Sequence, residues 1–364
     1  MKRRLKLIET ILILFFMVNC SMVSAQEEGR WTEERVWQWY DKIGVIKGFN
    51  FLPSTAVNST EMWQAETFDP ETIDKELKLA QEAGYNSARV FLQYLVWEDD
   101  AKGLEKRIDT FLDIAENRGI SVMFILFDDC AFASKEPYLG PQDEPVPGVH
   151  NSGWTPSPGS FRVKEESYWP KLEKYVKAII GAYKNDSRVI VWDMYNEPGN
   201  SKMWEQSLPL LQATFKWSRE VNPSQPLTAA PWGDFYNIFS NKSLMTKKMF
   251  SMSDIITFHA YETPEKIDEK VNLLDLNYNR PMMCTEWLRR NNGGTFENIL
   301  PIFSKYKVGW YQWGLVAGDT QTYMHWGSKE GTPEPDIWQH DVFYRDGRPY
   351  APSEFDLIKA FDFK

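Results

Sequence analysis

Two glutamates occupy matched settings. Glu197 closes the run Val-Ile-Val-Trp-Asp-Met-Tyr-Asn-Glu-Pro, Val189 to Pro198. Its apolar start and β-branched residues predict a strand buried on both faces, and Pro198 must end the ladder. Glu286 follows a similar approach, Met282-Met283-Cys284-Thr285. An ionisable group at a buried strand end is costly unless it is partnered or used. Either glutamate alone reads equally well as an arginine-paired turn residue. Two that converge read differently, because close like charges cannot both ionise and one carboxyl keeps its proton. A protonated carboxyl beside an ionised one is a general acid beside a nucleophile, the equipment for cleaving a glycosidic bond.

The elements that must position them alternate, strand then helix, along the chain. Strands are predicted over 45–51, 87–92, 120–127, the run into Glu197, 226–231, 255–261, 281–287 and 308–315. Helical patterns follow at 70–83, 104–117, 165–183, 204–221, weakly near 241–250, then at 265–274, 296–306 and 352–361. A polar-aromatic lead-in, 26–42, precedes them. The 131–160 connection breaks the rhythm with ten Pro and Gly residues; so long a connection is usually functional or disordered. The count predicts an α/β fold, a single-domain (β/α)8 TIM barrel over 26–364. A doubly wound sheet would show a glycine-rich first turn, and Phe49-Asn50-Phe51-Leu52-Pro53 offers none.

Barrel chemistry gathers at the C-terminal ends of the strands. Those ends read Asn50, Arg89, Asp128, Asn196-Glu197, Trp232, His259 with Tyr261, Glu286 and Trp313. The ordered set Arg, Asn-Glu-Pro, His-x-Tyr, Glu and Trp resembles clan A of the glycoside hydrolases, retaining (β/α)8 enzymes that include cellulases, mannanases and β-galactosidases. The resemblance spans nearly everything from Val45 onward. It implies that Glu197 is the acid/base and Glu286 the nucleophile. Arg89 would hydrogen-bond the nucleophile, Asn196 hold a sugar 2-hydroxyl, and Tyr261 touch the nucleophile beside His259. Trp313 would floor the cleavage subsite. One departure is the third strand, which ends in Asp128-Asp129-Cys130 instead of the histidine patterns of many cellulases.

Other residues carry weaker signals. Trp232 and Trp313 read as rim packing or as sugar-stacking faces, which do not exclude each other. His150 and Trp154 suggest a lid. Asp128 and Asp129 read equally as a sugar subsite or a loop cap. Trp338, His340 and Asp341 could close the site edge or anchor their loop. No calcium or zinc spacing appears, so catalysis is expected to need no cofactor or metal.

The net charge of -10 and the lack of a basic run outside the extreme N-terminus exclude a nucleic-acid partner. Lys2, Arg3, Arg4 and Lys6 precede an apolar run, Ile11 to Val18, and small residues ending at Ala25. This predicts a signal peptide over 1–25 and export to the periplasm or beyond, with lipid anchoring through Cys20 as a second reading. Cys130 and Cys284 are expected as free buried thiols. The expected activity is an exported retaining β-glycosidase acting on a β-linked oligosaccharide or polysaccharide. The rivals are a transglycosylase using the same acids, and a surface glycan-binding protein on a silent barrel. The sugar, endo or exo action and the oligomeric state stay open.

Overall fold

The computed structural model describes residues 29–232 and 244–364. The expected signal peptide, Cys20 and the first residues of the weak 241–250 helix lie outside them. Among the described residues, eight parallel strands are β1 (Lys47–Phe51), β2 (Ser87–Phe91), β3 (Ser121–Ile125), β4 (Val189–Asn196), β5 (Leu227–Ala230), β6 (Ile256–Ala260), β7 (Met282–Trp287) and β8 (Gly309–Gln312). Each is followed by a helix: α1 (Pro70–Ala83), α2 (Tyr94–Asn117), α3 (Trp169–Tyr183), α4 (Leu208–Val221), α5 (Leu244–Met252), α6 (Pro264–Asn277), α7 (Phe296–Lys305) and α8 (Pro352–Ala360). The expected barrel is present.

Strand order is β5-β4-β3-β2-β1-β8-β7-β6. Chain ends meet where Gly48 pairs with Tyr311 across β1 and β8. Gly48 must be glycine there, since a Cβ would lie 2.3 Å from the Tyr311 ring, which fills the barrel interior. The seam between β5 and β6 has one backbone bond at its foot, the Asp254 amide to the Leu227 carbonyl at 2.8 Å, and side-chain bonds above it. The Thr228 hydroxyl donates to the Ile255 carbonyl at 2.9 Å and meets the Thr257 hydroxyl at 2.8 Å.

Local signals explain the elements. Asp69 accepts from the Thr72 amide, Pro70 opens α1, and Gly84 closes it at φ 96°, an N-cap, N1 proline and left-handed C-cap in sequence. α2 starts ten residues before the predicted 104 because a break at Asp100 separates its first turns. Those turns, Tyr94 to Trp97, are buried all round, so no 3.6-residue period marks them. The lead-in is a helix, Glu33–Ile43, capped by Thr32. With Trp31 it seals the N-terminal mouth: Val36 and Tyr40 pack on Ile46, Met123, Val191, Ile255, Met283 and Tyr311. The C-terminal mouth is left for the loops.

Candidate active site

β4 and β7 deliver the two glutamates to one place. Glu197 sits at φ 46°, a left-handed conformation costly for a side-chain-bearing residue. Its amide donates to the Ala230 carbonyl at 3.0 Å, which holds the turn before Pro198. One carboxylate oxygen from each of Glu197 and Glu286, and one ring nitrogen of His259, all lie within 4.8 Å of one another. That closeness falls on the retaining side, about 5–5.5 Å, and below the about 6.5–9.5 Å of inverting sites.

The two carboxyls have different partners. Glu286 Oε1 accepts from Arg89 Nη1 at 3.0 Å, and Oε2 accepts from the Tyr261 hydroxyl at 2.9 Å. Glu197 Oε2 accepts from Asn200 Nδ2 at 2.6 Å and from the Cys130 thiol at 3.3 Å. Burial pushes both carboxyls above the ordinary range. Of the two glutamates only Glu286 is bonded by the Arg89 guanidinium, which favours ionisation at Glu286 and leaves Glu197 as the better keeper of a proton. His259 Nδ1 lies 2.7 Å from Glu197 Oε1 and 3.4 Å from Glu286 Oε2. Burial drives the imidazole down to about 3, so it is neutral.

Arg89 is fully buried and fixed on every side. Nε and Nη2 bond Asp193 Oδ2 at 3.2 and 2.8 Å, Nη2 also donates to Asn196 Oδ1 at 2.7 Å, and Nη1 to Asn50 Oδ1 at 2.8 Å. Asn50 in turn donates to the Thr285 and Gln312 carbonyls, tying β1 to β7 and β8 below Glu286. Asn196 donates to Asp128 Oδ1 at 2.8 Å.

A cavity of about 840 Å³ opens over these groups. Every expected site residue lines it except Arg89, which lies beneath: Asn196, Glu197, Trp232, His259, Tyr261, Glu286 and Trp313. Trp232 is exposed at the edge and packs on Trp204, ring centres 5.7 Å apart. The 131–160 connection supplies wall. His150 and Trp154 both line the cavity, and Trp154 also packs on Trp313 and donates to Asp128 Oδ2 at 2.7 Å. Asp128 and Asp129 do not line the cavity. Asp128 caps the loop through the Cys130 amide, and Asp129 accepts from the Tyr195 hydroxyl and Gly199 amide. They are the loop caps of the two readings. Of the last long loop, His340 reaches the cavity, while Trp338 stacks on Tyr350 and Asp341 accepts from Thr322. By donor type Glu197, His259 and Glu286 could hold a cation, but Arg89 already supplies positive charge to Glu286. Cys130 and Cys284 are free and buried.

Sequence reasoning passed over Asp193, Cys130 and Asn200. Asp193 had a signal: a charge inside an apolar strand needs a buried counter-charge, and Arg89 on β2 is one. Cys130 and Asn200 had none, since loop neighbours of Glu197 are set only by the turn.

Residues 46–330 match the family model described as cellulase, glycosyl hydrolase family 5. No curated protein matches the chain. Solved structures share the fold at low identity. The endo-1,4-β-D-mannanase from Thermotoga petrophila is 14% identical with a TM-score of 0.55, covering 87% of this chain and 98% of that one. The exo-β-1,4-mannosidase of Opitutaceae bacterium strain TAV5 is 15% identical at TM-score 0.59, covering 87% and 59%. The Faecalibacterium prausnitzii β-glucuronidase is 16% identical at TM-score 0.52, covering 87% and 49%.

Proposed function

We propose, from the premise that the chain belongs to the cellulase family, glycosyl hydrolase family 5, that this retaining glycoside hydrolase cleaves β-linked oligosaccharides or polysaccharides through Glu197 and Glu286. The β linkage follows the family's cellulase description. The observation that carries the assignment is the pair of buried carboxyls with oxygens within 4.8 Å, one bonded to a buried arginine and one not.

Glu286 attacks the anomeric carbon while Glu197 gives its proton to the departing oxygen. The sugar is then an ester of Glu286, and its negative charge is gone. Repulsion between the two carboxyls is relieved, so Glu197 ionises more readily and takes a proton from the water that releases the sugar. Neutral His259, 2.7 Å from Glu197, holds that carboxyl without adding charge. Arg89 and Tyr261 keep Glu286 ionised and aimed. Trp313 is the floor for the sugar, and Asn196 the partner for its 2-hydroxyl. Export through the N-terminal segment, with or without lipid at Cys20, is the proposed localisation.

The test is hydrolysis of a panel of aryl β-glycosides and β-linked polysaccharides, with Glu286→Gln as control. Turnover lost in the variant, with the product first released as the β-anomer, supports the reading. Glycan binding with no turnover by the wild-type chain leaves the silent-barrel reading instead.

A further inference from the structure

The wall between β6 and β7 holds an arginine that the double displacement does not use. Arg289 lies two residues beyond β7 and lines the cavity. The chain reaches it through Leu288 at φ 79°, a left-handed conformation rare and strained for leucine. Its backbone is then fixed in both directions: the Arg289 amide donates to the Gly294 carbonyl and the Gly294 amide to the Arg289 carbonyl, each at 3.0 Å. The same turn is tied to the site, because Asn292 Nδ2 donates to the Tyr261 carbonyl at 2.8 Å.

The guanidinium is built as carefully as its backbone. It lies over the Trp326 ring, 4.7 Å from its centre, a cation–π arrangement. Trp326 is itself braced. Its Nε1 donates to His150 Nε2 at 3.1 Å, His150 Nδ1 bonds the Met324 carbonyl at 2.8 Å, and its ring meets Tyr261 at 4.9 Å. Arg289 Nε donates to Asn291 at 3.3 Å. Among the described residues, its two terminal nitrogens bond no protein group. Glu262, which lines the same cavity, is paired with Lys270. A flat fork of two free N–H groups, held on an aromatic face at the cavity, matches a carboxylate in shape and charge. Arg289 and Glu286 line one cavity; Arg289 lies on Trp326, Trp326 packs on Tyr261, and the Tyr261 hydroxyl bonds Glu286, so an anion on Arg289 would belong to the sugar being cleaved or to one near it.

We propose that Arg289 reads a carboxylate of the substrate, and that the substrate is a β-linked glycan carrying a uronic acid at or beside the cleavage point. This rests on the hydrolase reading above. A sulfate ester presents similar oxygens, and the experiment separates the two.

The experiment measures binding by calorimetry to the Glu286→Gln protein, and kcat/KM on the wild-type protein. The probes are β-linked oligosaccharides of glucuronic, galacturonic and mannuronic acid, each beside its carboxyl-reduced neutral counterpart, and sulfated neutral oligosaccharides. At least one uronate should bind about 10- to 100-fold more tightly than its reduced form, as a charge-assisted bond predicts. The preference should appear in KM, weaken with salt, vanish in Arg289→Gln and survive in part in Arg289→Lys. Equal handling of every uronate and its reduced form, a preference for sulfate over uronate, or a preference unchanged in Arg289→Gln overturns the proposal. Neutral substrates turned over without acidic preference sink this inference and leave the hydrolase. Arg289-dependent uronate binding without turnover of any substrate does the reverse.

Discussion

The thiol of Cys130 donates a hydrogen bond to Oε2 of Glu197 at 3.3 Å. A donor on a carboxylate favours its ionised form, and the thiol acts on Glu197 in that direction. Removing it in Cys130→Ala should raise the Glu197 pKa. The acid is active while protonated, so the basic limb of kcat/KM against pH should move to higher pH, with a rate change below about tenfold at the optimum. A limb that moves to lower pH would contradict the assignment of Glu197 as the acid. Burial and its acidic neighbours push the thiol itself well up, so the native protein should resist alkylation at Cys130.

The two glutamates should fail differently. With a dinitrophenyl leaving group no proton is needed for departure, so Glu197→Gln should keep a rapid first release and stall at hydrolysis of the intermediate. With a poor leaving group it should lose about 10²–10⁴ in kcat, the usual share of general acid catalysis. Glu286→Gln should be inactive on both substrates. Pre-steady-state release of dinitrophenol distinguishes them, and a burst in the Glu286 variant would reverse the roles.

Arg89 neutralises two buried acids at once, Asp193 at 2.8 Å and Glu286 at 3.0 Å. Arg89→Met should cost about 3–5 kcal/mol, as expected when one partner of a buried ion pair is removed. The deserted carboxylates, already raised by burial, then rise further in the folded state. Stability of the variant should therefore be greatest at low pH and fall as pH rises, steeper than in the wild type. Urea unfolding between pH 5 and 8 would measure it, and a variant as stable as the parent at pH 8 would refute the account.

Glu76 on α1 is buried, and both its oxygens accept from the Ser54 amide at 3.2 Å. Burial pushes its carboxyl up to about 7, above its unfolded value of about 4.3. A raised folded pKa gives stability that is complete below the unfolded value and is lost as pH rises through about 7. Glu76→Gln stays neutral throughout. Its melting temperature should match the wild type near pH 4.5 and exceed it by a few degrees at pH 8. Parallel curves for the two proteins would show that Glu76 is ionised at no cost.

Much of this was legible in the sequence, for identifiable reasons. Pro70 and Gly84 mark α1 to the residue because caps are local chemistry. Glu286 was found because an apolar run leading into one acid is a one-dimensional signal. The first turns of α2 and the sealing helix Glu33–Ile43 were not found. The first is buried all round, and the second is rich in charged and aromatic side chains whose burial depends on the barrel floor beneath them.

The sequence by itself determined which side chains stand at the strand ends and in what order, since strand, proline and glycine signals act over a few residues. It could not determine that Gly48 meets Tyr311, that Asp193 and Glu286 share Arg89, or that Leu288 turns Arg289 onto Trp326. Those pairings join positions far apart in the chain. They exist only once the barrel closes and fixes each strand's register against its neighbours. The types of the two acids were local facts. Their separation, and the charge each can hold, came from closure and from the burial closure creates.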